Sequence, residues 1–369
     1  MADHRLKKYA ETLIQYSLKV EKNQQVVIQG YEVALPLIEE CYREAIRRGA
    51  FPYVVLKHDL NEILLKEGKD DQITFISPIS ESIIKTADRL LNIGGGNNTK
   101  YMSNVDPHKI SMYNKAHGEI SKMHAERTEK GLLKWCLCMY PTQSLAQEAG
   151  MSLSEYTDFL YGACLLNEVD PIHAWKNVSQ SQNKIVQYLN RKEELKIIAK
   201  DTEISMKIKN RKWINSDGQT NFPSGEVFSA PIEDSVNGMI RFSFPGIYSG
   251  HEIEDIRLTF KDGKVTKASA AKGEKLLHAL LETDEGAKKV GEVAIGTNYN
   301  ITQFTKNMLF DEKIGGTVHM ALGKAYVQSG GKNNSSIHWD MLCDMRNGGE
   351  IYADGKCFYK DGRILTEEI

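Results

Sequence analysis

The 369-residue sequence lacks any CxxC pair, any apolar run near the ~20 residues needed to cross a bilayer, and any marked excess of one charge. Its six cysteines, Cys41, Cys136, Cys138, Cys164, Cys343 and Cys357, are scattered and mostly sit within apolar runs. They read as reduced core thiols rather than a disulfide framework, which fits a cytoplasmic protein. Lys and Arg total 47 against 49 Asp and Glu, a formal net charge of -2. That balance gives no electrostatic reason to expect nucleic acid or a membrane surface as a partner. No apolar core follows the start Met1-Ala2-Asp3-His4-Arg5, so no secretory signal is expected. The chain also has no GxSxG elbow, no HExxH helix and no GK[ST] phosphate loop. Gly94-Gly95-Gly96 fails the dinucleotide fingerprint because position 99 is Thr, and it reads as a tight turn at a strand exit.

What is present is ordinary globular composition, 41% hydrophobic and 26% charged, in a chain long enough for two domains of about 150 residues each. The first half alternates helix and strand. Helical spacing over 5–19 precedes the strand Gln25-Val26-Val27-Ile28, and a helix over 35–48 capped by Gly49 precedes Pro52-Tyr53-Val54-Val55-Leu56. Arg89-Leu90-Leu91-Asn92-Ile93 and Leu132–Cys138 supply two more strands, with helical residues near 108–128 between them. This alternation predicts an α/β domain with a mostly parallel sheet over 1–190. After helical residues 172–191 the period changes to two, with turns at Ser216-Asp217-Gly218 and Asp262-Gly263. Apart from a helix near 272–290, this predicts an α+β domain of mainly antiparallel strands over 191–369.

The chemistry gathers in that second half. Glu226 follows Pro223-Ser224-Gly225 and enters an apolar strand, where an ionised carboxylate is costly unless paired or metal-bound. Gly291-Glu292-Val293-Ala294 repeats the arrangement. Glu312 lies in Phe310-Asp311-Glu312, and His319 precedes a small, apolar run that reads as the start or crossing of a buried helix. His338 and Asp340 are two apart in Ser335-Ser336-Ile337-His338-Trp339-Asp340, so on an extended segment both face one side. Four carboxylates and two imidazoles suit a dinuclear Zn, Co or Mn site better than a closed structural zinc. On spacing alone, a domain with scattered polar residues competes with this reading.

At these residues the sequence resembles the aminopeptidase T and aminopeptidase S family of metallo-aminopeptidases. The matching stretches, in order, are NFPSGEVFSAP, GEVAIG, FDEKIGGTVHMALGKAY and SSIHWD, with weaker similarity through KWINSDGQ and the N-terminal half. The resemblance implies an N-terminal α/β domain and a C-terminal domain carrying two divalent ions per chain (Zn, Co, Mn or Mg). It implies a homodimer that removes N-terminal residues from peptides, with broad preference and leucine favoured. It places Glu226, Glu292, Glu312, His319, His338 and Asp340 in the metal site, with Tyr326 beside the metals. The passage Lys313–Val318 is longer than its family counterpart, which leaves open how Glu292 and Glu312 divide the catalytic work. The alternatives are another dinuclear hydrolase acting on phosphoesters or amides, or a non-catalytic protein of the same fold.

Overall fold

A computed structural model describes residues 3–248 and 250–369. The chain forms two compact units, one running to Ile172 and including Gly218–Phe222, the other His173–Asp217 with Pro223–Ile369.

The first unit is built on a wholly parallel sheet in the order Phe51–Lys57, Gln25–Tyr31, Arg89–Gly94, Lys134–Met139 and Asn221–Phe222. Parallel neighbours require crossovers, and helices such as Leu35–Arg47 provide them. That helix starts with Pro36 in its first turn and buries Leu37, Ile38, Cys41 and Ala45 on one face. Gly49, at φ 74°, turns the chain out of it. Cys136 and Cys138 alternate with half-exposed neighbours and are both fully buried, as period-two strand geometry dictates. Gly95 has φ 122°, and a Cβ there would lie 2.7 Å from the Tyr140 carbonyl oxygen, so the strand exit requires glycine. The helical stretch expected near 108–128 is two helices, Pro107–Ala116 and Gly118–Glu129. They part at His117, whose ring stacks on Tyr113 and whose Nδ1 meets the Tyr113 carbonyl at 2.9 Å.

The second unit contains an eight-stranded and a five-stranded antiparallel sheet. The larger runs Lys264–Ser269, Ile256–Lys261, Asn237–Phe242, Thr202–Lys207, Glu194–Ala199, Glu350–Ala353, Lys356–Lys360 and Arg363–Ile364. The smaller runs His338–Asp344, Thr317–Gly323, Val290–Gly296, Glu226–Ser229 and Ile214–Ser216. Side chains from both sheets and from the helices Pro171–Leu189 and Glu274–Leu281 share one core. The chain thus has the α/β and antiparallel halves that its periodicities predict. Among the described residues, no helix is long and apolar enough to cross a membrane.

Two local expectations are corrected. The run after His319 is a strand, Thr317–Gly323, because backbone pairing on both sides overrides the helix propensity of Met320-Ala321-Leu322. The helix near 272–290 stops at Leu281, and Asp284 then caps a short turn, Glu285–Lys288, by accepting from Ala287 N–H.

The same Asp284 carboxylate accepts from Ser335 Oγ, Ser336 N and Ser336 Oγ, each at 2.8 Å, and so anchors the loop that leads into His338. The Ser336 and Ser335 donors, aided by Ala287, hold its carboxyl down at about 2. Because the folded value is depressed, this stabilisation is fully present above the ordinary value of 3.8 and is lost as pH falls toward about 2. Asp284→Ala is expected to cost about 1–2 kcal/mol, seen as a lower urea midpoint near pH 7 at unchanged m. The difference from wild type should vanish near pH 2, and a constant gap across that range would contradict the assignment.

Candidate metal centre

Antiparallel register decides which side chains meet. Ala321 lies opposite Glu292 on one side and Asp340 on the other; Ala294 is opposite His319, Gly296 opposite Glu226, and Gly323 opposite His338. Directly paired residues share a face, as do alternate residues along a strand. Glu226, Glu292, His319, His338 and Asp340 therefore stand on one face of the five-stranded sheet. Ala294, Gly296, Ala321 and Gly323 stand beside them on that face, which leaves room for the longer polar groups, while Leu342 and Ser216 are the second partners of His319 and Glu226. The intervening residues Val293, Ile295, Val318, Met320, Trp339 and Met341 fill the core behind.

The distances are short. His319 Nε2 lies 3.2 Å from Glu292 Oε1, 3.4 Å from Glu226 Oε2 and 4.0 Å from Asp340 Oδ1. His338 Nε2 lies 3.4 Å from Asp340 Oδ2 and 3.9 Å from Glu292 Oε2. Three groups of ligand atoms, each within 4.8 Å of one another, result: Glu226, Glu292 and His319; Glu292, His338 and Asp340; and Glu312, His319 and Asp340. Glu292 belongs to the first two. His338 Nδ1 is 2.7 Å from the Lys324 carbonyl, which can only accept, so Nδ1 carries a proton and Nε2 is left to face the carboxylates.

Glu312 reaches the cluster from outside the sheet, at the end of the helical turn Met308–Asp311. Buried Asp311 accepts from Thr305 N and Oγ1 at 2.7 and 2.9 Å and folds that connection back on itself. Tyr326 follows the His319 strand in extended conformation, with 49% of its surface open. Its ring packs edge-on to His338 at 5.5 Å. Burial, then the charges of Glu292, Glu312 and Asp340, holds its phenol protonated well above the ordinary tyrosine range.

Sequence reasoning missed three supports. Lys313 is fully buried, with its ammonium 3.5 Å from Glu226 Oε1 and in contact with Glu312 Oε1. Burial draws that ammonium down, but Glu226 and Glu312 outweigh it and raise it. Buried Gln182 reaches Asn215 Oδ1, the Ser216 carbonyl and the Glu226 carbonyl at 2.6 to 3.0 Å, which fixes the Glu226 backbone. Asn298 donates to the Ser224 carbonyl at 2.8 Å and crowds Gly225, whose φ of 124° also calls for glycine. The only sequence signal for Lys313 was its place between Glu312 and Ile314-Gly315-Gly316, where no solvent-facing period exists.

The electrostatics are those of anions crowded away from water. Burial pushes Glu226 up to about 7, and the Glu312 and Glu292 charges add to it. Burial likewise raises Glu292. It opposes the charged form of His319 and His338 too, yet the Glu292 contact on one and the Asp340 contact on the other lift them to about 9 and about 10. Glu226 Oε2, Glu292 Oε2 and Asp340 Oδ1 are buried with no hydrogen-bond partner. Such atoms cost free energy unless a cation satisfies them, and mixed carboxylate and imidazole donors suit a divalent ion. The residues fit a metal.

The sequence matches the family described as thermophilic metalloprotease (M29) over residues 2–364. The chain belongs to that family. Membership brings a divalent metal cofactor with it, and the resemblance carried by four motifs extends over nearly the whole chain. Aminopeptidase 2 of Geobacillus stearothermophilus is 27% identical across 97% of this chain and 95% of its own length. Aminopeptidase T of Thermus thermophilus is 28% identical, again across 97% and 95%. The solved structure of wild-type AmpT from Thermus thermophilus superposes with a TM-score of 0.85 at 25% identity, covering 98% of this chain and 99% of that one.

Proposed function

We propose that this M29 metalloprotease is an aminopeptidase that removes N-terminal residues from peptides, broadly and with leucine favoured, at a centre of two divalent ions. Glu226, Glu292, Glu312, His319, His338 and Asp340 would hold the ions, and Zn, Co, Mn or Mg suits their donors. The observation that carries the reading is Glu292, which presents one oxygen to each of two neighbouring ligand groups. The names of the relatives, all aminopeptidases, support the substrate class.

Divalent ions bound there would acidify a water and polarise the scissile carbonyl. The chain's own groups do the rest. A carboxylate not fully committed to an ion, Glu292 or else Glu312, would take the water proton and pass it to the leaving amine. Tyr326 keeps its proton and donates to the oxyanion, an interaction strongest in the transition state. An uncommitted carboxylate oxygen would receive the substrate's α-ammonium. Homodimeric assembly and a cytoplasmic location belong to the same proposal, and the five buried free cysteines support a reducing compartment.

Hydrolysis of a leucyl chromogenic amide, with no hydrolysis of its N-acetylated analogue, is the expected outcome; equal rates on both would remove the exopeptidase assignment. Tyr326→Phe is expected to lower kcat by about 10²- to 10³-fold with little change in KM. A change confined to KM would assign Tyr326 to ground-state binding instead. A phosphoesterase reading is disfavoured because Arg241 and Arg257, which could otherwise hold a phosphate, are engaged by Asp255 and Asp201.

A further inference from the structure

Lys313 is the one buried lysine among the described residues, and its ammonium lies within ion-pair distance of two carboxylates proposed as metal ligands. Glu226 is divided by it: Oε1 faces the ammonium, while Oε2 turns to His319 and has no hydrogen-bond partner. Glu312 is held in the same way. The group formed by Glu292, His338 and Asp340 has no such ion pair.

Charge counting shows the consequence. Metal binding requires ionised carboxylates and neutral imidazoles. Four carboxylates and one ammonium then carry three net negative charges. A first divalent ion leaves one, and a second reverses the sign. With a neutral residue at 313 the same steps run from four negative charges to two and then to none, so the second ion would enter a more attractive site. Position adds to this, because the ammonium is ion-paired with Glu226 and Glu312, while Asp340 of the other group feels it only at longer range.

We infer that Lys313 is a built-in third cation that makes the two metal positions unequal. The position at Glu292, His338 and Asp340 fills first and tightly; the one at Glu226, Glu292 and His319 stays weaker and exchangeable. This rests on the two-metal reading of the same centre. Lys313 is a positioning residue, acting through Glu226 and Glu312 rather than on substrate.

The test is titration of the metal-free full chain with Co²⁺, followed by d–d absorption, with metal analysis after desalting. Wild type is expected to bind its second ion at least tenfold more weakly than its first and to retain close to one after desalting. Lys313→Met is expected to tighten the second step at least tenfold and to retain close to two. Lys313→Gln, which keeps a polar group between the carboxylates, should shift the same way and serves if the methionine variant does not fold. Two ions of equal affinity in wild type, or neutral variants whose second step is no tighter, would overturn the inference while leaving the two-metal centre intact. Absence of any Co²⁺ uptake would instead remove the two-metal reading, and this inference with it.

Discussion

Glu292→Gln is expected to lower kcat/KM for a leucyl substrate by about 10²- to 10⁴-fold while the fold persists. The carboxylate stands on the central strand of the five-stranded sheet with an imidazole beside each oxygen, so no neighbour can replace either contact. The amide keeps the volume but loses the charge and one acceptor. In the metal-free protein the amide gives up the repulsion of the Asp340 charge together with the attraction of His319 and His338, opposed effects that leave the fold intact. Steady-state kinetics with thermal melts of both metal-free proteins read the two halves of this expectation. Activity within threefold of wild type would leave Glu292 without a role in the reaction.

Metal removal is expected to have the largest effect of all. Dialysis against chelator should abolish hydrolysis and lower the melting temperature, and Co²⁺, Zn²⁺ or Mn²⁺ should restore both. A ligand at 100 times its dissociation constant stabilises the folded state by about 2.7 kcal/mol, so the shift should amount to several degrees. Uptake should weaken as pH falls, because the ligands must shed protons to bind. Full activity after exhaustive chelation would separate this chain's chemistry from the metal its family name implies.

Much of the fold was legible because each half keeps one period. Helices and strands alternate in the first unit, and two-residue alternation runs through the second. The HxD pair was readable for the same reason: His338 and Asp340 share a face in any extended segment. What could not be read was register. That Ala321 stands between Glu292 and Asp340, or that Gly296 faces Glu226, follows from pairings between distant segments. In hindsight the small residues of GEVAIG and HMALG mark the face that the site occupies, but they equally favour a helix, and the apolar run after His319 is too short to decide. Glu312 departs from the pattern because it enters from a helical turn. Lys313 escaped because lysine is ordinarily a solvent residue, and only its two carboxylate partners explain its burial. Gln182 and Asp284 act through tertiary hydrogen bonds that leave no local trace.

One face of the five-stranded sheet is proposed to hold two metal ions through Glu292. Anomalous diffraction from crystals grown with Co²⁺ tests it most directly. Two peaks about 3.5–4 Å apart are expected, one beside Glu226 and His319, the other beside His338 and Asp340, with Glu292 between them. No peak among these side chains, or ions bound only elsewhere on the chain, would contradict it.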